Sequence, residues 1–197
     1  MERRLPANPV LANEILLGQQ YEDVREAMTA KGRLARARRR VAIGPHITVT
    51  FENHETVLHQ LQEILRAEGQ ASVDHLDHEL EVYNQMVAPE GMLSATLFIE
   101  WRNLNTIRKE LVRLKGIENQ TYLSFPDQSK TYAWFDPYTQ DAFQLSAVQY
   151  LLFELSDDQR QMFRDEAHPI VLQIDHEHYG HTATIPKTLV GELAAEL

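Results

Sequence analysis

The chain of 197 residues contains no cysteine. That excludes disulfides, iron–sulfur clusters, thiolate zinc sites and cysteine nucleophiles. Any metal must therefore be held by His, Asp or Glu. Long apolar runs are also missing: none approaches the roughly 18 residues needed to span a bilayer. The opening MERRLPANPVL carries two arginines with no apolar stretch behind them, so we expect no signal peptide. A cytoplasmic location without a membrane partner is the resulting expectation. Basic charge is scarce as well. Nineteen Lys and Arg face 29 Asp and Glu, a formal net charge of −10, whereas a general nucleic-acid binder is usually basic across a whole face.

What is present describes an ordinary globular chain, 43% hydrophobic and 24% charged, long enough for one domain with a real core. Charge is unevenly placed. KGRLARARRR (31–40) holds six of the basic residues, while from Asp136 onward there are 11 acidic residues and three basic ones. Arg36, Arg38, Arg39 and Arg40 could thus contact a phosphate, an acidic partner or the protein's own acidic groups. No recognised nucleic-acid motif accompanies them.

Hydrophobic spacing predicts one long helix from about Pro9 to Arg36, through Leu17, Tyr21, Val24 and Met28. RRVAIGPHITVTFE (39–52) switches to a period of two. Ile47, Val49 and Phe51 share one side, and His46, Thr48, Thr50 and Glu52 the other. Asn53 is placed to cap the next helix, with Glu55 in its first turn. A further helix runs through Leu76, Leu80 and Tyr83, followed by a strand at 92–101 and a helix closed by Gly116. A hairpin is predicted over 120–135, with Trp134 and Phe135 as core. Beyond a polar loop come a strand at 146–155, a capping box at Ser156 and Gln159, strands at 169–175 and 181–185, and a last helix opened by Pro186. This order predicts an α+β fold, with an antiparallel or mixed sheet, helices packed on one face and a long N-terminal helix. It is read as a single domain over 1–197, with 1–38 a helical extension packed on it.

DHEHYGH (175–181) concentrates the chemistry. It connects two predicted strands, so Asp175 and His181 are expected close together, with Gly180 permitting the turn. Imidazole and carboxylate are the ligands of zinc, manganese or non-haem iron. Three readings stay open: a divalent metal site, a metal-free pocket where His and Asp bind or protonate a small ligand, and a polar hairpin tip. His46, on a polar sheet face, could join the cluster. Glu52, Asn53 and Glu55 are weaker candidates, with helix-start electrostatics as the simpler account. HITV (46–49) fits one arm of the paired H-x-T/S signature of two-histidine phosphoesterases, but HTAT (181–184) has its threonine one place late. His54, His59, His75 and His78 ride helices and read as surface residues.

Six blocks resemble, in order and spacing, the bacterial family known as domain of unknown function 3501. They are RRVAIGPHITVTFENHETV (39–57), QLQEILR (60–66), LSATLFIEW (93–101), LKGIENQ (114–120), YLLFEL (150–155) and DHEHYGHTATIP (175–186). The resemblance places a D-H-x-x-Y-x-H pattern on Asp175, His176, Tyr179 and His181. It places further recurring polar positions on His46, Glu52, Asn53, Glu55 and Thr56. Where the family usually carries arginine, this chain has His54. The resemblance also implies rubrerythrin-like or iron–sulfur oxidoreductase proteins as partners, and hence a place in oxygen or redox handling. The leading expectation is a metal- or ligand-binding protein, with His176 and His181 as ligands or acid–base groups, Asp175 as ligand or orienter and Tyr179 as hydrogen-bond donor. The alternative is an adaptor without chemistry, docking on an electron-transfer partner through Lys31 to Arg40.

Overall fold

The structure is a computed structural model that describes residues 4–69, 73–137, 145–165 and 168–197. The polar loop expected after Phe135 falls largely outside them. Two compact units emerge, one from Met1–Arg39 with Glu52–Glu90, the other from Arg40–Phe51 with Gly91–Leu197. Among the described residues no helix is long and apolar enough to cross a membrane.

The first unit is helical. α1 (Gln19–Arg38) begins later than the spacing predicts. Gly18, at φ 56°, turns the chain immediately before it, and 12–14 forms only a single 3-10 turn. α2 (His54–Glu68) starts at Asn53, whose side chain accepts from Thr56 N at 3.1 Å while the Thr56 hydroxyl accepts from Asn53 N at 2.9 Å. Val57, Leu61 and Leu65 form its buried stripe, and Gly69 ends it in the left-handed conformation. α3 (Val73–Tyr83) follows. α1 buries only Tyr21, Gly32 and Ala35. Its grip on α2 is largely ionic: Arg25 with Glu63 at 2.9 Å, Arg66 with Glu22 at 2.6 Å and Lys31 with Glu55 at 3.1 Å. A Cβ on Gly32 would lie 2.3 Å from the His59 ring, so only glycine lets the helices meet there.

Among the described residues the second unit holds nine strands. They are β1 (Arg40–Ile43), β2 (Ile47–Glu52), β3 (Met92–Ile99), β4 (Thr121–Ser124), β5 (Lys130–Tyr132), β6 (Trp134–Phe135), β7 (Val148–Glu154), β8 (Val171–His176) and β9 (Tyr179–Thr184). The α+β class read from the sequence is the one observed, with its strands divided between two sheets. One has the order β1-β2-β3-β7-β6, the other β5-β4-β8-β9. The pairs β1–β2, β3–β7, β6–β7, β4–β5, β4–β8 and β8–β9 are antiparallel. The single period-two run at 39–52 is in fact a hairpin, because Gly44 at φ 71° and Pro45 turn the chain between β1 and β2. Phe135 is buried as predicted, but Trp134 is 39% exposed, since neighbours on a strand face opposite sides.

One apolar core serves both sheets and three helices, α4 (Leu104–Arg113), α5 (Asp157–Asp165) and α6 (Lys187–Ala194). Phe51, Leu97, Phe153, Leu123 and Leu172 meet Leu111, Phe163 and Leu193 within it. Ser156 and Gln159 form the expected reciprocal cap before α5.

Candidate functional site

The β8–β9 hairpin is tighter than its sequence suggests. His176 pairs with Tyr179, so the connection is only Glu177 and His178. Asp175 pairs with Gly180 and His181 with Ile174. Adjacent register positions face opposite sides of a sheet. His176, Tyr179 and His181 therefore lie on the core side, and Asp175 is exposed on the other. The expected proximity of Asp175 and His181 side chains is thereby overturned. Gly180 is likewise a strand residue without positive φ, not the turn former.

Tyr179 is committed to the backbone. Its hydroxyl donates to Ile43 O at 2.7 Å and accepts from the N–H groups of His46 and Ile47, each at 3.0 Å. Burial raises its pKa, with the two N–H donors opposing that shift. A single phenol thus ties β9 to the mouth of the β1–β2 hairpin. His46 does reach this region, but through its N–H. Its ring stacks on Trp101 at 4.1 Å between centroids and 20° between planes. His181 packs edge-on against Tyr179 at 4.5 Å and fills the space beside Gly44, where a Cβ would lie 2.6 Å from the ring.

His176 is buried and spent on its neighbours. Nδ1 accepts from His178 N at 3.2 Å, which places the ring proton on Nε2, where it meets Lys115 O at 3.2 Å. Both ring nitrogens are thus hydrogen-bonded within the protein. His46 and His181 are half-buried, and their rings have no hydrogen-bond partner among the described residues.

The secondary candidates are structural. Glu52, with its side chain 1% exposed, accepts from the Thr56 hydroxyl at 2.5 Å and from Gln60 Nε2 at 3.2 Å, and pairs with Arg36 at 3.6 Å. Arg39 is buried and donates to Glu52 O at 3.4 Å. Asn53 is the α2 cap and Glu55 the partner of Lys31. Arg40 pairs with Glu100 at 2.9 Å and donates to the Thr48 hydroxyl at 3.0 Å, which itself donates to Glu100. That hydroxyl is the threonine of the HITV arm, and it is engaged by Arg40 and Glu100. Among the candidate arginines only Arg38 and Arg40 are exposed. Arg36 turns toward the Glu52 carboxylate and Arg39 toward the Glu52 backbone carbonyl.

The helical histidines are less superficial than their positions suggested. His54 is held between Asn8 O at 3.3 Å and Glu14 Oε1 at 3.0 Å. Both His59 nitrogens are buried with no partner among the described residues, and burial lowers its pKa. Tyr21 donates to Glu63 at 2.6 Å. The hydrogen bond from Arg25 draws the Glu63 carboxyl down to about 2, while burial lifts the Tyr21 phenol to about 12.

Only one group of three possible metal-ligand atoms lies mutually within 4.8 Å among the described residues, and it is not in the hairpin. It is formed by Glu68, His75 and Glu79. His75 and Glu79 are one helical turn apart on α3 and so share a face. Glu68 closes the set from the last turn of α2, with its Oε2 2.7 Å from His75 Nε2. Glu68 is 43% exposed and His75 19%, so solvent reaches the group. Glu79 is half-buried, with no hydrogen bond or ion pair among the described residues. Two carboxylates and an imidazole suit zinc, manganese or ferrous iron, with coordination positions left open. The H-x-x-x-E spacing of His75 and Glu79 was readable in the sequence, but Glu68 reaches them only through the α2–α3 packing.

Comparison with known proteins agrees with this fold. A crystal structure of a novel protein of unknown function from Burkholderia pseudomallei is 32% identical, with a TM-score of 0.89 over 96% of this chain and 100% of that one. No curated protein matches. Residues 9–197 match the family described as "Protein of unknown function (DUF3501)", and the chain belongs to that family.

Proposed function

We propose that this protein binds a divalent transition metal through Glu68, His75 and Glu79. The observation that carries the proposal is the convergence of three donors from two helices within 4.8 Å. Carboxylate and imidazole together favour zinc, manganese or iron over magnesium or calcium. Three protein ligands leave room for water or a substrate oxygen, as in open metal sites. The oxygen- or redox-linked role implied by the family resemblance makes iron and manganese the first metals to test.

Metal content by mass spectrometry, on untagged protein purified without chelator and then loaded with zinc, manganese or ferrous iron, tests this directly. About one equivalent is expected in the wild type and in His176→Ala/His181→Ala, and none in His75→Ala/Glu79→Gln. Loss only from the hairpin double variant would return the site to 175–181. A wild type that retains no metal would end the proposal.

A further inference from the structure

α3 is weakly anchored for a packed helix. None of residues 75–83 is fully buried, and Val82 is 43% exposed. Its neighbour α2 buries Val57 and Leu61 completely. α3 is also acidic: residues 73–83 include Asp74, Asp77, Glu79 and Glu81, with no Lys or Arg. Docking brings Glu79 close to Glu68, two like charges sharing one imidazole. Without a cation the two carboxylates repel, and the Glu68–His75 bond at 2.7 Å with the half-buried Leu76, Leu80 and Tyr83 must offset that repulsion. With a cation the same atoms become ligands, and the contact becomes the strongest link between the helices.

We infer that the cation docks α3 onto α2, so that ordering of Val73–Tyr83 depends on the metal. This rests on the metal-binding reading and adds a consequence to it: the ion is a clamp that couples metal supply to the conformation of one helix. A ligand that binds only the docked state lowers the undocked-to-docked ratio by a factor of one plus the ratio of free ligand to Kd. At free metal of about 100 times Kd, amide exchange through local opening of α3 should slow by up to about 100-fold.

The test is hydrogen exchange on the full chain with and without zinc or manganese chloride, beside equilibrium dialysis with the same salt. Protection of residues 77–83 should rise with metal in the wild type and in Asp77→Asn, an exposed control on the same helix. It should not rise in Glu79→Gln. Stoichiometric binding with unchanged α3 exchange would overturn the clamp and leave the metal site standing. No binding at all would remove both.

Discussion

The β8–β9 hairpin and the α2–α3 pair carry the same kinds of side chain and use them in opposite ways. The hairpin concentrates three histidines, an aspartate and a tyrosine in seven residues. It then spends His176 and Tyr179 on backbone groups and turns Asp175 to the far side. The helix pair brings three such residues, Glu68, His75 and Glu79, to face one another. Density of ligand types along a chain is therefore a poor guide to a site. Convergence of donors in the fold is the better one.

The sharpest way to break this contrast is to remove the hairpin's commitment. Tyr179→Phe would leave two N–H groups and a carbonyl without their shared partner. Each buried orphan costs about 1–3 kcal/mol, so urea unfolding should show a loss of about 3 kcal/mol. Metal content should be unchanged. A hydroxyl acting in metal binding would give the reverse pattern.

Gly44→Ala should cost less, about 2 kcal/mol, from the strain of a left-handed alanine and the crowding of His181 and Tyr179. Adding His181→Ala removes the nearest ring atoms. A double-mutant cycle should then show the two changes to be non-additive. Strict additivity would mean that His181 does not pack on the turn.

The smallest effect distinguishes the units by pH. The Glu63 carboxyl is held at about 2 in the folded chain, below its ordinary value of 4.5. It contributes stability that is present above pH 4.5 and lost as pH falls toward 2. His59 is lowered from 6.5, so the unfolded chain takes up its proton first, and stability also declines as pH falls below about 6.5. The acid limb should therefore flatten in Glu63→Gln and in His59→Gln, and keep its slope in Tyr179→Phe. Thermal melts from pH 7 to 3 would show it. An unaltered limb in both helical variants would place the acid-sensitive groups elsewhere.

Much of the fold was legible because its signals are local. Ile47, Val49 and Phe51 alternate inward as their spacing required, Asn53 caps α2, and Ser156 with Gln159 starts α5. The start of α1 was misplaced because Gly18 outweighs the apolar rhythm that runs through it. The split at Gly44 was hidden because residues on both sides keep the same alternation. The site was less legible. Asp175 beside His176 looks like a ligand pair, but the register of two strands decides that they part.

Composition alone determined that any metal here is held without thiolate, because no cysteine exists to supply one. Periodicity determined the α+β class, because each element's apolar spacing is set by its own backbone geometry. Only the tertiary structure decided which histidines retain open nitrogens. Hydrogen bonds such as those from His178 N to His176 and from Tyr179 to Ile43 join groups whose proximity depends on turns and strand register. The meeting of Glu68 with His75 and Glu79 was decided at the same level, by the packing of one helix on another.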